Sequence, residues 1–204
     1  MTAVVDYGVG NLFSLVSSLK YLGQDAAVTS DPDQIRCADR VILPGVGAFG
    51  DAAEKLRRSG LGDVVCEIAD AGTPLLGICL GMQLLFEKSY EFGEYNGLGL
   101  LRGSVVSMRG RIPDELKIPQ MGWNALIKKR AHPLLHGVQE GECVYFVHSY
   151  FAEGCEDSLI AVCDYGREIT AAVASGNVMG CQFHPEKSGK AGLAILKAFS
   201  EVTV

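Results

Sequence analysis

Apolar and polar positions along the first half of the chain fall into blocks that switch between the two periods of regular structure. Thr2 to Asp6 is a short apolar run of strand type. Asn11 to Leu22 repeats its apolar residues at helical spacing and stops at Gly23, and further strand-like runs follow at Asp25 to Thr29 and Asp39 to Leu43. Helical patterns at about Gly47 to Arg58 and Leu61 to Ala71 lead into the apolar run Thr73 to Leu76. Strands that alternate with helices build βαβ units, so the expected fold class is α/β, with a mostly parallel central sheet flanked by helices. From about Leu98 the texture changes. Runs at Ser104 to Met108, Val144 to Phe151, Leu159 to Tyr165, Ile169 to Ala174 and Asn177 to Cys181 predict antiparallel strands added to the same sheet, before a helical stretch from about Gly189. No repeat, low-complexity tract or linker interrupts the pattern, and residues 1–204 read as a single domain.

Composition narrows what such a domain does. With 204 residues, 48% of them hydrophobic, the chain can bury one sizeable core. Its net charge of −6 is scattered, with no basic stripe for nucleic acid and no polybasic cluster for an anionic membrane, so neither partner is expected. The apolar runs stop well short of the ~20 residues of a spanning helix, and Met1 to Asp6 lacks a basic leader; a cytoplasmic chain is expected. Seven cysteines form an odd set without a C-x-x-C pair, which argues against both a disulfide scaffold and a zinc site. Cys143, Cys163 and Cys181 lie in apolar runs and read as small core hydrophobes. His132 and His136 could suggest ligands, but Pro133 breaks the helix that would align them, and no metal is expected. Gly8-Val9-Gly10 with Asp31 downstream suggests a dinucleotide site, yet Phe13 stands at the third glycine position, where helix and strand would pack closely. No cofactor is expected.

Three stretches carry candidate chemistry. Gly77-Ile78-Cys79-Leu80-Gly81 follows a strand and precedes a helix start at Met82 to Glu87, which is how a nucleophile is exposed at a sharp turn. Cys79 then stands at a helix N-terminus, where free N–H groups favour the thiolate. Taken alone, the stretch fits a buried structural cysteine equally well. The second is Gln182-Phe183-His184-Pro185-Glu186, in which an extended backbone would point His184 and Glu186 the same way, the carboxylate holding the imidazole in one tautomer. Nucleophile, base and orienting acid make a triad in the order Cys, His, Glu; an α/β-hydrolase would place its acid before its histidine. The third is Leu43-Pro44-Gly45-Val46-Gly47, a strand ending in glycines whose N–H groups could meet a developing negative charge, or simply a Gly-rich turn.

Together these residues resemble the triad-type (class I) glutamine amidotransferases. Asp6 to Leu12, Leu43 to Phe49, Pro119-Gln120-Met121-Gly122-Trp123-Asn124 and Tyr145-Phe146-Val147-His148-Ser149-Tyr150 are similar to the glutaminase subunits of imidazole glycerol phosphate synthases, and the likeness runs from the first strand to the last helix. The resemblance implies a class I glutamine amidotransferase-like fold that hydrolyses glutamine to glutamate and ammonia. Cys79, His184 and Glu186 are then the triad, and the N–H groups of Leu80 and Val46 the oxyanion hole, with Gly47, Gln83, His148 and Ser149 holding the amino-acid end of glutamine. It further implies a heterodimer with a cyclase subunit of (β/α)8 fold, which uses the ammonia to make imidazole glycerol phosphate and AICAR in histidine biosynthesis. Tyr7, Asn11, Gln120, Met121, Trp123, Tyr145 and Lys187 are the implied interface. A related amidotransferase serving another synthase, such as the one making anthranilate, and an idle binding module on the same fold are the competing readings.

Overall fold

The computed structural model describes residues 1–202. The first half runs β1 (Thr2–Val5), α1 (Leu12–Tyr21), β2 (Ala26–Thr29), α2 (Pro32–Arg36), β3 (Arg40–Leu43), α3 (Phe49–Arg58), α4 (Leu61–Asp70), β4 (Leu75–Ile78) and α5 (Leu80–Leu84). Then follow β5 (Phe86–Ser89), β6 (Tyr95–Asn96), β7 (Leu101–Ser107), β8 (Gln120–Ala125), β9 (Ile127–Lys128), β10 (Cys143–His148) and β11 (Tyr150–Glu153). The chain closes with β12 (Leu159–Asp164), β13 (Glu168–Ser175), β14 (Val178–Cys181) and α6 (Gly189–Glu201).

An eight-stranded sheet in the order β2-β1-β3-β4-β14-β13-β12-β9 forms the centre. Its strands are parallel from β2 to β14 and antiparallel beyond. Both faces are covered, which is why β1, β3 and β4 read as unbroken apolar runs rather than alternating ones. Successive side chains divide between two cores. Val4, Ile42 and Leu76 meet Leu15 and Leu19 of α1 and Ile195, Leu196 and Phe199 of α6. Ala3, Val5, Val41 and Leu75 meet Phe49 and Leu56 of α3 and Val64, Val65 and Ile68 of α4 on the other face. Among the described residues no helix is long and apolar enough to cross a membrane.

The C-terminal half departs from expectation. Only some of its strands join the central sheet: β8 and β10 pair as a separate antiparallel ribbon, and β11-β7-β5-β6 form a third sheet. The run Val144 to Phe151, expected as one strand, breaks at Ser149, whose carbonyl accepts the Met108 N–H while Tyr150 takes up a new pairing with Ser107. The helix expected over Met82 to Glu87 is the short α5, and Glu87 lies in β5, because Phe86 and Ser89 pair with β7.

Two residues weighed for a dinucleotide site take other places in the fold. Asp31 caps α2, its Oδ1 accepting the Asp33 N–H at 2.9 Å ahead of Pro32, so its carboxylate is engaged as a helix cap. Phe13 is 85% exposed, so its ring does not crowd the packing of α1 on the sheet.

Candidate active site

Cys79 joins β4 to α5 with φ +53° and ψ −110°, a conformation that L-residues adopt at a cost and that recurs where a side chain must be presented at a sharp turn. The flanking glycines serve close approach rather than the turn itself. A Cβ on Gly81 would lie 1.8 Å from the Leu43 carbonyl oxygen, and one on Gly77 would lie 2.7 Å from the Met82 backbone. Only without those side chains can α5 press against the end of β3. The turn holds through the Cys79 N–H donating to the Cys181 carbonyl at 2.8 Å and the Gln83 N–H to the Cys79 carbonyl at 3.1 Å.

His184 arrives from the end of β14. His184 Nδ1 and Glu186 Oε1 are 2.9 Å apart, and both side chains are buried. They sit in a 3₁₀ turn over Pro185–Lys187 rather than in the extended segment expected. That turn is braced against β10: the His184 N–H donates to the Tyr145 carbonyl at 2.9 Å, and Ser188 Oγ accepts the Tyr145 N–H at 2.9 Å. Burial works against a charged His184 ring, but hydrogen bonds to Cys79 and Glu186 outweigh it and push the imidazole up to about 9. The imidazole is therefore held in its protonated form.

In the strand Pro44 to Gly47 a carbonyl, not an N–H, faces Leu80. The Leu80 N–H donates to the Gly45 carbonyl at 3.3 Å. Across a trans peptide the Val46 N–H is opposed to that carbonyl, so it faces away from Leu80 instead of completing a pair of donors. Tyr7 Oη donates to the Pro44 carbonyl at 2.7 Å just before this peptide, and a Cβ on Gly45 would stand 2.7 Å from the same hydroxyl. Burial, and then the neighbouring Cys79 sulfur, push the Tyr7 phenol upward, keeping it a neutral donor.

A cavity of about 200 Å³ opens beside Cys79, and Val46, Gly47, Leu80, Gln83, His148, Ser149 and His184 all line it, bringing the expected site residues together. Gln83 Nε2 donates to the Tyr150 carbonyl at 3.0 Å and to Gln182 Oε1 at 2.9 Å, which leaves its own Oε1 to face a ligand. His148 Nδ1 meets the same Tyr150 carbonyl at 2.8 Å, so the ring carries its hydrogen there, and burial pulls it down to about 4, well into the neutral form. Glu91, which the sequence pattern did not single out, also lines the cavity. Its Oε2 accepts the Phe49 N–H at 2.6 Å, and burial raises its carboxyl. It lies in a loop after β5 with no local signature. A larger groove of about 690 Å³ between α3, α4 and β6 contains none of these residues.

The implied interface residues separate into two groups. Met121 and Trp123 are 63% and 55% exposed on β8, and Trp123 stacks edge-on against Tyr145 at 6.0 Å, while Lys187 Nζ lies 5.8 Å from the same Tyr145 ring. Trp123 thus projects from a strand. Asn11 is half-buried beside Glu186 at the start of α1. Tyr7 and Gln120 do not belong with them. Tyr7 is 6% exposed beneath the Pro44 strand, and Gln120 is 0% exposed, its Nε2 donating to Asn124 Oδ1 at 2.9 Å, because alternate residues of β8 turn inward.

A family model described as glutamine amidotransferase class-I matches residues 3–201. The chain is 50% identical over 203 residues to an imidazole glycerol phosphate synthase subunit HisH from Caldanaerobacter subterraneus subsp. tengcongensis, covering 99% of this chain and 98% of that one. It is 49% identical over 204 residues to the subunit of the same name from Wolinella succinogenes, covering 99% and 100%. Among solved structures, PurLQS from Thermotoga maritima superposes with a TM-score of 0.76 at 22% identity, over 98% of this chain and 97% of that one, a likeness of fold.

Proposed function

The chain belongs to the class I glutamine amidotransferases, and from that premise we propose that it is the glutaminase subunit of imidazole glycerol phosphate synthase, acting in histidine biosynthesis in the cytoplasm as a single domain. The observation that carries the chemistry is the placement of Cys79 at a strained turn with His184 beside it and Glu186 behind, His184 Nδ1 lying 2.9 Å from the carboxylate.

The reaction follows from that placement. The Cys79 thiolate attacks the side-chain carbonyl carbon of glutamine, and the carbonyl electrons move to oxygen. As the intermediate collapses, the C–N bond breaks and the His184 imidazolium gives its proton to the departing nitrogen, releasing ammonia and a thioester. His184, now neutral, takes a proton from water, which attacks the thioester; glutamate leaves and the thiolate returns. Glu186 holds the imidazole in the tautomer both steps require. Gly47, Gln83, His148 and Ser149 position glutamine. The Leu80 N–H and, once its peptide turns over, the Val46 N–H receive the oxyanion.

The ammonia passes to a cyclase subunit, which we propose has the (β/α)8 fold and makes imidazole glycerol phosphate and AICAR. Asn11, Met121, Trp123, Tyr145 and Lys187 form the face toward it, an exposed aromatic cluster of the kind that anchors interfaces. The test is glutamate release by the purified chain, alone and with a candidate cyclase and its nucleotide substrate. Glutamine hydrolysis enhanced by the cyclase and lost in Cys79→Ala is expected. Hydrolysis that survives Cys79→Ala, or that no cyclase enhances, overturns the reading.

A further inference from the structure

Gln182 stands outside the roles assigned above, although it is 0% exposed and lies against the nucleophile. The orientation of its carboxamide follows from a chain of necessities that begins at a backbone carbonyl. The Tyr150 carbonyl can only accept, so Gln83 must present Nε2 to it, at 3.0 Å. The second hydrogen on that nitrogen donates to Gln182 Oε1 at 2.9 Å. With its oxygen so engaged, Gln182 turns Nε2 toward Cys79 Sγ, 3.7 Å away. The other lone pair of the Tyr150 carbonyl receives His148 Nδ1, so the anchor is fully used. Two carboxamides in series thus end with an N–H on the sulfur, each orientation forced by the one before.

A thiol sulfur is a weak acceptor and a thiolate a strong one, so a fixed donor favours the ionised form. We propose that Gln182 is a further catalytic residue that holds an N–H on the Cys79 sulfur, oriented by Gln83 and the Tyr150 carbonyl, and so raises the fraction of the nucleophile present as thiolate. The inference rests on Cys79 being the nucleophile. The other titratable groups facing the sulfur are His184 after β14, with Glu186 behind it, Tyr7 after β1, Cys181 on β14, His148 on β10 and Glu91 in the loop after β5. Of these His184 supplies the counter-charge. Gln182 differs from all of them in giving a donor that does not itself titrate.

The experiment is the pH profile of Cys79 alkylation by iodoacetamide in the full chain, compared with Gln182→Leu, which removes the donor, and Gln182→Glu, which keeps an acceptor for Gln83 and sets an oxygen against the sulfur. The midpoint should rise by about one pH unit in Gln182→Leu and further in Gln182→Glu, so that alkylation below the midpoint slows about tenfold or more while the high-pH plateau stays put. Because a buried substitution can unfold the chain, the unaltered protein gives a second reading. The side-chain amide ¹⁵N and ¹H signals of Gln182 should titrate with the thiolate absorbance, and Cys79→Ala should abolish that movement. Identical midpoints in folded variants, or Gln182 signals indifferent to the titration, overturn the inference. If glutaminase activity nevertheless depends on Cys79, only the role of Gln182 falls; if it does not, the functional reading falls too.

Discussion

The backbone N–H of Leu80 donates to the carbonyl oxygen of Gly45 at 3.3 Å, so the isolated chain carries an acceptor where hydrolysis of an amide needs a donor. Cys79 and His184 already line one cavity, while the Gly45–Val46 peptide turns its carbonyl rather than its N–H toward Leu80. In the chemistry proposed above, one rotation of the Gly45–Val46 peptide would set the Val46 N–H beside that of Leu80, and a partner that binds the rotated state better would shift the population toward it.

The isolated chain should therefore turn glutamine over slowly, and cyclase should raise kcat far more than it lowers KM. Losing one oxyanion donor typically costs about 10²- to 10³-fold, which sets the scale of the activation. Tyr7→Phe, which frees the Pro44 carbonyl next to the rotating peptide, should raise turnover of the isolated chain several-fold. Steady-state kinetics with and without cyclase check both; equal kcat in the two states would reject the rotation.

Cys79 should be the one cysteine labelled rapidly by a glutamine-mimicking electrophile, with glutamine protecting it. Cys79 is itself only 7% exposed, but it lines the cavity, whereas Cys155, Cys163 and Cys181 are buried away from it and burial pushes all three thiols up. Peptide mapping after brief labelling is the measurement. Stoichiometric, glutamine-protected labelling of the exposed Cys37 or Cys143 would contradict it.

Two histidines should shape stability in opposite directions. His184 is raised from 6.5 to about 9 in the folded chain, so its contribution is complete below pH 6.5 and is lost as pH rises through 9. His148 is lowered to about 4, so unfolding takes up a proton and stability falls as pH drops from 6.5 toward 4. Each effect should amount to a few kcal/mol at most. Urea unfolding across this range should show both limbs, with Glu186→Gln flattening the alkaline one and His148→Asn the acid one.

Trp123→Ala and Lys187→Ala should weaken cyclase binding while leaving the melting temperature close to that of the unaltered chain. Trp123 projects from the ribbon with half its surface free, and an exposed aromatic anchor of this kind is commonly worth 10-fold or more, about 1.4 kcal/mol upward. Titration calorimetry against cyclase measures the loss. Unchanged affinity in both variants would place the interface elsewhere.

What the sequence made legible was chemistry held by contiguous residues. Cys79 between two glycines, and His184 two positions from Glu186, are local patterns, and the structure brings both to one cavity. Strand order in the first half was equally readable, since parallel strands buried on both faces leave long apolar runs, but the five-residue α2 between β2 and β3 is too short to show a helical repeat and was missed. The misses come from pairing across sequence. Nothing near Ser149 announces that Val144 to Phe151 divides between two sheets, and nothing near Tyr7 or Gln120 tells that each faces inward. Glu91 and Gln182 owe their places to Phe49 and Gln83, partners supplied only by the fold.

Tyr145 looks in two directions. Its ring stands between Trp123 and Lys187 on the outer face, while its carbonyl receives the His184 N–H and its own N–H ends on Ser188. A load on that ring is thus borne by a residue whose backbone fastens both ends of the turn carrying His184 and Glu186. The face proposed for the partner and the turn that carries the proposed base have a common foundation in this one residue, so a change that remodels the outer face at Tyr145 also tests the footing of His184.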